Sequence, residues 1–413
     1  MLTRRRFLET ATVAAAAPYA HAAGTKRLAI IATVYRPLSH AQHMGDRFLA
    51  GYPYAGAWHK PDMQVVSLYV DQKPEGDLSA ARANEFGFKV YPTIAEALRC
   101  GGREMAVDAV LIIAEHGNYP RNEKGQILYP RHEFFEQCVT VFEKDGRAAP
   151  VYNDKHLSYS FEKASEMVEA ARRLRFPLLA GSSLPVTWRL PAIDLPLGCR
   201  IEEALMVGEG GSDAMDFHAL EGLQCMVERR RGGETGVKAV QLIEGEEVWK
   251  ALDAGRFSKE LLTAALSRSD TPLGLTVADG RTQDLVASGQ LRVLAKKPAA
   301  YSIEYRDGLK ATMLMLDGAL KDYDFAARVD GQVQSTQFLL TPEPNVTYSA
   351  CLMHKVEEMI ESGAAPYPAE RTLLTSGMLE SCLTSKVQNH ARLETPHLGV
   401  KYKAPERPQF AQA

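Results

Sequence analysis

Residues 26 to about 182 alternate short apolar runs with amphipathic helical stretches, and this predicts an α/β fold: a doubly wound, Rossmann-like parallel sheet. A change of pattern after residue 184 predicts a second, α+β domain with a largely antiparallel sheet. Three observations support this division. Six strand-to-helix alternations fit into about 155 residues, and Ala106 to Ala114 is almost wholly apolar, as in a strand covered on both faces. Pro185, Pro191 and Pro196 then fall close together, which marks a linker.

In chain order, Arg27 to Thr33 reads as the first strand, and the helix from His40 to about Gly51 has Ser39 as N-cap with Gln42 three residues on, a capping-box arrangement. An apparent insertion around Gly51 to Pro61 precedes the second strand, Gln64 to Asp71. Ser79 to Phe86 reads as a helix, Phe88 to Tyr91 as a short strand, and Thr93 to Cys100 as a capped helix closed by Gly101 and Gly102. The apolar strand at 106–114 is followed by helix 133–145, strand 149–152, helix 160–173 and strand 177–181. Beyond the linker, Tyr301 to Leu340 reads as antiparallel strands with a hairpin at Asp307-Gly308, and helices are expected around 351–361 and 369–388. The expected boundaries are 1–22, 26–184 and 185–413.

With 46% apolar and 24% charged residues among 413, disorder and a short disulfide scaffold are excluded. The net charge of -3 gives no basic field for nucleic acid, so a small molecule is the expected ligand. Six scattered cysteines show no metal-finger spacing and read as buried thiols.

The N-terminus reads as an address. Thr3-Arg4-Arg5-Arg6-Phe7-Leu8-Glu9 follows the twin-arginine export pattern, Ala11 to Ala17 is apolar, and Ala20-His21-Ala22 offers a cleavage site. Passage through the twin-arginine machinery to the periplasm or beyond is therefore expected.

Several local motifs share one resemblance. Glu85 to Tyr91 followed by Thr93 to Leu98, the strand Val107-Asp108-Ala109-Val110-Leu111-Ile112, and a His132-led helix ending at Asp145-Gly146 occur in that order, before Asn153-Asp154-Lys155-His156-Leu157. Together they resemble the Gfo/Idh/MocA family, of the glucose-fructose oxidoreductase and inositol dehydrogenase type, whose Glu-Lys-Pro motif the last segment matches. The resemblance implies a sugar, cyclitol or polyol oxidoreductase using NAD or NADP, and a homo-oligomer built through the second-domain sheet. It makes Lys155 the lysine beside nicotinamide and substrate hydroxyl, and His218 the acid or base. Asp213 is the candidate partner of His218, although Asp216 lies closer in sequence. His156 stands where the family often has proline.

The first strand-to-helix turn departs from the dinucleotide pattern. It reads Ala32-Thr33-Val34-Tyr35-Arg36-Pro37-Leu38-Ser39-His40, with no glycine before Gly45, whereas a pyrophosphate needs close approach to bare backbone. Arg36 and Ser39 at the helix start remain candidate anion-binding groups, Asp71 a candidate ribose acceptor, and Glu115 a further cofactor-side residue. His40, His43 and His116 fall on the same sheet edge and offer a divalent-metal site as an alternative. That alternative implies a metal-dependent lyase or hydrolase of an oxidised sugar, and a non-catalytic carbohydrate-binding protein is the remaining one. Trp188 and Arg189 read equally well as a ligand clamp or as linker packing, and Arg229-Arg230-Arg231 as a solvated face.

Overall fold

The computed structural model describes residues 24–210, 213–273, 284–341 and 348–412. The segment 1–22, expected to be an export signal, lies outside them, as do Gly211 and Ser212.

The first part runs β1 (Lys26–Ala32), α1 (His40–Ala50), β2 (Tyr52–Tyr54), β3 (Ala57–His59), β4 (Met63–Val70), α2 (Ser79–Phe86), β5 (Lys89–Tyr91), α3 (Ile94–Arg99), β6 (Ala109–Ile113), α4 (Arg131–Asp145), β7 (Val151–Asp154), α5 (Phe161–Leu174) and β8 (Leu178–Gly181). Six of these strands form a parallel sheet in the order β5-β4-β1-β6-β7-β8. Numbered within the sheet, this is 3-2-1-4-5-6, so the order reverses between β1 and β6 and opens a crevice at their carboxyl ends. β6 is buried along its whole length, and each such side chain stabilises the sheet by roughly 1.5 to 3 kcal/mol. Helix starts follow local chemistry: Ser39, Thr93 and Ser160 each accept a backbone N–H of the first turn. The insertion is the two-stranded hairpin β2–β3. Gly51 introduces it at φ 86°, where a Cβ would come within 2.5 Å of the His59 carbonyl oxygen.

The second part runs β9 (Trp188–Leu190), β10 (Ile201–Gly208), α6 (Asp213–Val227), β11 (Val237–Glu244), α7 (Glu246–Asp253), α8 (Lys259–Leu266), α9 (Gln290–Leu294), β12 (Ala299–Tyr305), β13 (Lys310–Met315), β14 (Tyr323–Val329), β15 (Gln332–Leu339), α10 (Tyr348–Ser362), α11 (Ala369–Val387) and β16 (Leu393–Glu394). Its eight-stranded sheet is ordered β16-β11-β12-β13-β10-β14-β15-β9, antiparallel except between β10 and β13. The predicted turn at Asp307-Gly308 joins β12 to β13.

Both sheets are covered on two faces. On the parallel sheet, α3, α4 and α5 pack on one side, and α1 packs on the other beside α10. The chain thus returns from its second part to close the first. On the mixed sheet, α6 and α11 cover one face and α7, α8 and α9 the other. A second copy meeting this sheet would encounter helices there rather than bare strands.

Packing corrects one expectation and decides between two readings of another. Arg229 and Arg230 are buried, and only Arg231 is exposed. Arg230 pairs with Glu234 and Asp307, and Arg229 with Asp194, because α6 ends inside the fold rather than on its surface. Arg189 is linker packing: it binds Asp194 and stacks on Phe338 and Phe410. All six cysteines are unpaired, and all but half-buried Cys100 are buried. Among the described residues no helix is long and apolar enough to cross a membrane.

Candidate functional site

The carboxyl ends of β6, β7 and β8 deliver Glu115, Asp154 with Lys155, and Ser182 to one rim, and α1 and α6 bring His40 and His218 onto it. Lys155 follows β7 in a left-handed conformation, φ 61°, held by its N–H donating to the Gly181 carbonyl. A residue with a Cβ rarely adopts this conformation, and such strain tends to gather where a side chain must be aimed. The Lys155 side chain is buried, with its Nζ 3.1 Å from Glu115 Oε1. Arg131, at the start of α4, clamps the other Glu115 oxygen and reaches the Asp154 carbonyl. Burial works to raise the Glu115 pKa, but Lys155 and Arg131 outweigh it and hold the carboxyl well below its usual range.

Lys155 and His218 line one cavity of about 40 Å³ with His40, His43, Asp154, Ser182 and the start of α10. It has room for the reacting group of a ligand rather than for a whole sugar ring. Ser182 Oγ lies 2.5 Å from His218 Nδ1, so it fixes the ring and leaves Nε2 for exchange with a ligand. Burial, then the charges of Lys155 and His40, hold the His218 pKa well below 6.5, so the ring is neutral at pH 7. His40 Nδ1 lies 2.7 Å from the Asp154 carboxylate, and its ring meets His116 edge-on at 5.1 Å.

Asp213 does not partner His218. It lies 3.5 Å from His156 Nε2 and accepts a hydrogen bond from Gln126, because α6 starts beside the β7 loop and turns His218 toward β8. His156 stacks on Phe217 at 4.1 Å, so the residue replacing the family's proline packs against α6. Asp216 accepts from Tyr301 on the sheet side. Ser182 and Arg131 were not singled out from sequence; the position of Ser182 just past β8, on the ligand edge, was the available signal.

The cofactor-side residues are satisfied by the chain itself. In the β1–α1 turn, Arg36 N–H and Gln42 N–H both donate to Ser39 Oγ, and Leu38 N–H donates to Gln42 Oε1. Ser39 N–H returns to the Arg36 carbonyl, Pro37 has no N–H, and the Arg36 guanidinium folds onto the Pro37 carbonyl. Amides that a phosphate loop would direct at an anion are therefore used inside the turn. Tyr35 of the same turn is buried and donates to Asp46 on α1. Asp71 accepts from Tyr69 on one oxygen and Tyr119 on the other. The His40 to Asp154 bond then joins α1 to β7 across the crevice. Glu115 is held by Lys155 and Arg131. Taken together, these residues do not fit a dinucleotide.

The alternative metal set of His40, His43 and His116 lies close together, but it is not among the described clusters whose ligand atoms converge. His40 Nδ1 is taken by Asp154, and the clusters of described residues whose ligand atoms converge are His59, His354, Glu357 and His132, Glu136, Glu166. His43 and His116 are neutral, each held down to about 4, first by burial and then by His40. A concavity of about 700 Å³ beside Trp249 and Arg292 lies on the far face of the mixed sheet. Its Lys259, Arg292 and Glu260 are engaged in ion pairs with Asp253 and Arg328.

Behind the cavity, Glu221 of α6 is wholly buried, accepting from Thr375 and from Ser182 N–H. Burial pushes its pKa up from 4.5 to about 7. The folded carboxyl thus holds its proton more tightly than the unfolded one, so the contribution of Glu221 to folding stability is greatest below pH 4.5, declines through the window up to about 7, and is level above it. Glu221→Gln is expected to flatten this decline, which is worth about 3 kcal/mol. Urea unfolding at a series of pH values measures it.

No family model and no curated protein sequence matches the chain. Solved structures do. GenD2 from gentamicin A biosynthesis, in complex with NAD, aligns with a TM-score of 0.56 at 13% identity, covering 90% of this chain and 97% of that one. Myo-inositol dehydrogenase from Lactobacillus casei, in complex with NAD(H) and myo-inositol, aligns at 0.54 and 11%, covering 90% and 96%. Biliverdin reductase from Synechocystis sp. PCC 6803, in complex with biliverdin and NADP+, aligns at 0.50 and 12%, covering 87% and 99%. At these identities the likeness is one of fold: the chain has the two-domain architecture of the Gfo/Idh/MocA-type dehydrogenases.

Proposed function

We propose that this chain is an acid–base enzyme on a dehydrogenase fold, acting on a sugar, cyclitol or related polyol in oxidised, carbonyl-bearing form. The observation behind this reading is the pairing of a buried Lys155 ammonium with a neutral His218 on one small polar cavity. His218 Nε2 takes the proton from the carbon next to the carbonyl. The electron pair moves to the carbonyl oxygen, where Lys155 stabilises the charge. Reprotonation of the resulting enediolate isomerises or epimerises the sugar, and loss of a β-substituent makes the reaction an elimination. Neither outcome needs an electron acceptor. The polyol ligand of one structural neighbour supports the substrate class.

Hydride transfer with NAD or NADP is the second reading, and the shared fold favours it. The self-satisfied β1–α1 turn, the doubly bonded Asp71 and the His40 to Asp154 bridge weigh against it. The Thr3 to Glu9 pattern supports placing the mature protein outside the cytoplasm, where free dinucleotide is scarce.

One experiment separates the readings. Keto-sugars incubated with the protein in heavy water are expected to gain deuterium beside the carbonyl, and His218→Ala to lose this by about 100-fold or more. Saturable NAD or NADP binding with no deuterium uptake would establish the second reading instead.

A further inference from the structure

The inserted hairpin β2–β3 places His59 against His354 and Glu357, which sit three residues apart on one face of α10. One ligand atom from each of the three lies within 4.8 Å of the others. His59 Nε2 is 2.8 Å from Glu357 Oε2. We propose that His59, His354 and Glu357 form a binding site for a zinc-like divalent cation, separate from the Lys155 cavity, that fastens the hairpin to α10.

Two imidazoles and a carboxylate are a borderline-soft donor set suited to zinc, with a fourth position left for water or an exogenous ligand. The surroundings fit this assignment. Glu357 is buried, whereas the side chains of His59 and His354 are 33% and 23% exposed, so an ion can enter from solvent. Tyr52 of β2 supplies an outer shell: its hydroxyl lies 2.7 Å from Glu357 Oε2 and 3.3 Å from His354 Nδ1, with one proton for two neighbours. Tyr54 stacks on the His354 ring at 3.9 Å and fixes its plane. Lys355, next along α10, is paired with Glu358 and leaves the Glu357 charge to the cluster. Each tetrahedral zinc bond is about 2.0 to 2.2 Å long for these ligands, so small side-chain rotations separate His59 from Glu357 around an ion.

The test is zinc titration of the chelator-stripped, full-length protein against a chromophoric competitor. Wild type is expected to take one tight equivalent and to gain thermal stability as it does so. His59→Ala and His354→Ala should lose affinity beyond the roughly 100-fold that bounds outer-shell effects, and Tyr52→Phe should lose about tenfold. X-ray absorption should report two imidazoles and one carboxylate. If His354→Ala unfolds, His354→Gln and the spectrum of wild type still decide the matter. Substoichiometric uptake by wild type, or equal uptake by the His59→Ala/His354→Ala double variant, would overturn the site. The cluster would then be an ion pair between hairpin and helix, and any bound zinc would lie elsewhere, as at His132.

Discussion

Lys155→Met is expected to abolish deuterium uptake from keto-sugars, lowering the rate by about 100- to 1,000-fold, the usual cost of removing one donor aimed at a developing oxyanion. The same change acts on stability. Glu115 is buried between Lys155 and Arg131, and loss of one cation leaves it half-compensated. Breaking a buried pair of this kind costs roughly 3 kcal/mol or more. Urea unfolding measures that cost independently of activity. Arg131 remains, so the variant should still fold, and its rate loss would then reflect the chemistry. A Lys155→Met protein that exchanges deuterium at the wild-type rate would remove Lys155 from the mechanism.

Arg371→Met is expected to destabilise the protein by roughly 3 to 5 kcal/mol without touching the site. Arg371 of α11 is buried against Glu228 at the end of α6, with its Nε and Nη2 bonded to the two carboxylate oxygens at 2.8 and 2.5 Å. Its guanidinium also lies over the Tyr367 ring. The methionine variant keeps the aliphatic bulk but strands the Glu228 carboxylate with Tyr402 as a remaining donor. Adding Glu228→Gln should recover part of the loss, because the penalty comes from a buried charge left without its counterion. Chemical denaturation of the two single variants and the double variant measures the coupling.

Much of this protein could be read from residue order alone. The alternation that predicts the parallel sheet is a local property: β6 is apolar because both its faces are covered, and Ser39, Thr93 and Ser160 cap helices through bonds to residues three positions away. The absence of glycine from the β1–α1 turn was equally plain, and so was the placing of Lys155 at a strand end. Spacing did not reveal which groups face each other. Asp213 stood five residues from His218 and lies beside His156 instead, while Ser182, which follows a different strand, holds the histidine ring. Arg229 and Arg230 looked like a solvated run, yet the end of α6 carries them into the interior, beside Asp194 and Glu234.

Secondary structure and the alternation of strand with helix follow from periodicity and short-range hydrogen bonds, which the linear chain contains. The ionic pairings at the Lys155 rim join residues from separate strands and helices, and so does the His59, His354 and Glu357 cluster, whose members lie almost three hundred positions apart. Such encounters depend on how helices rotate and which faces they bury, and only the packed chain settles those.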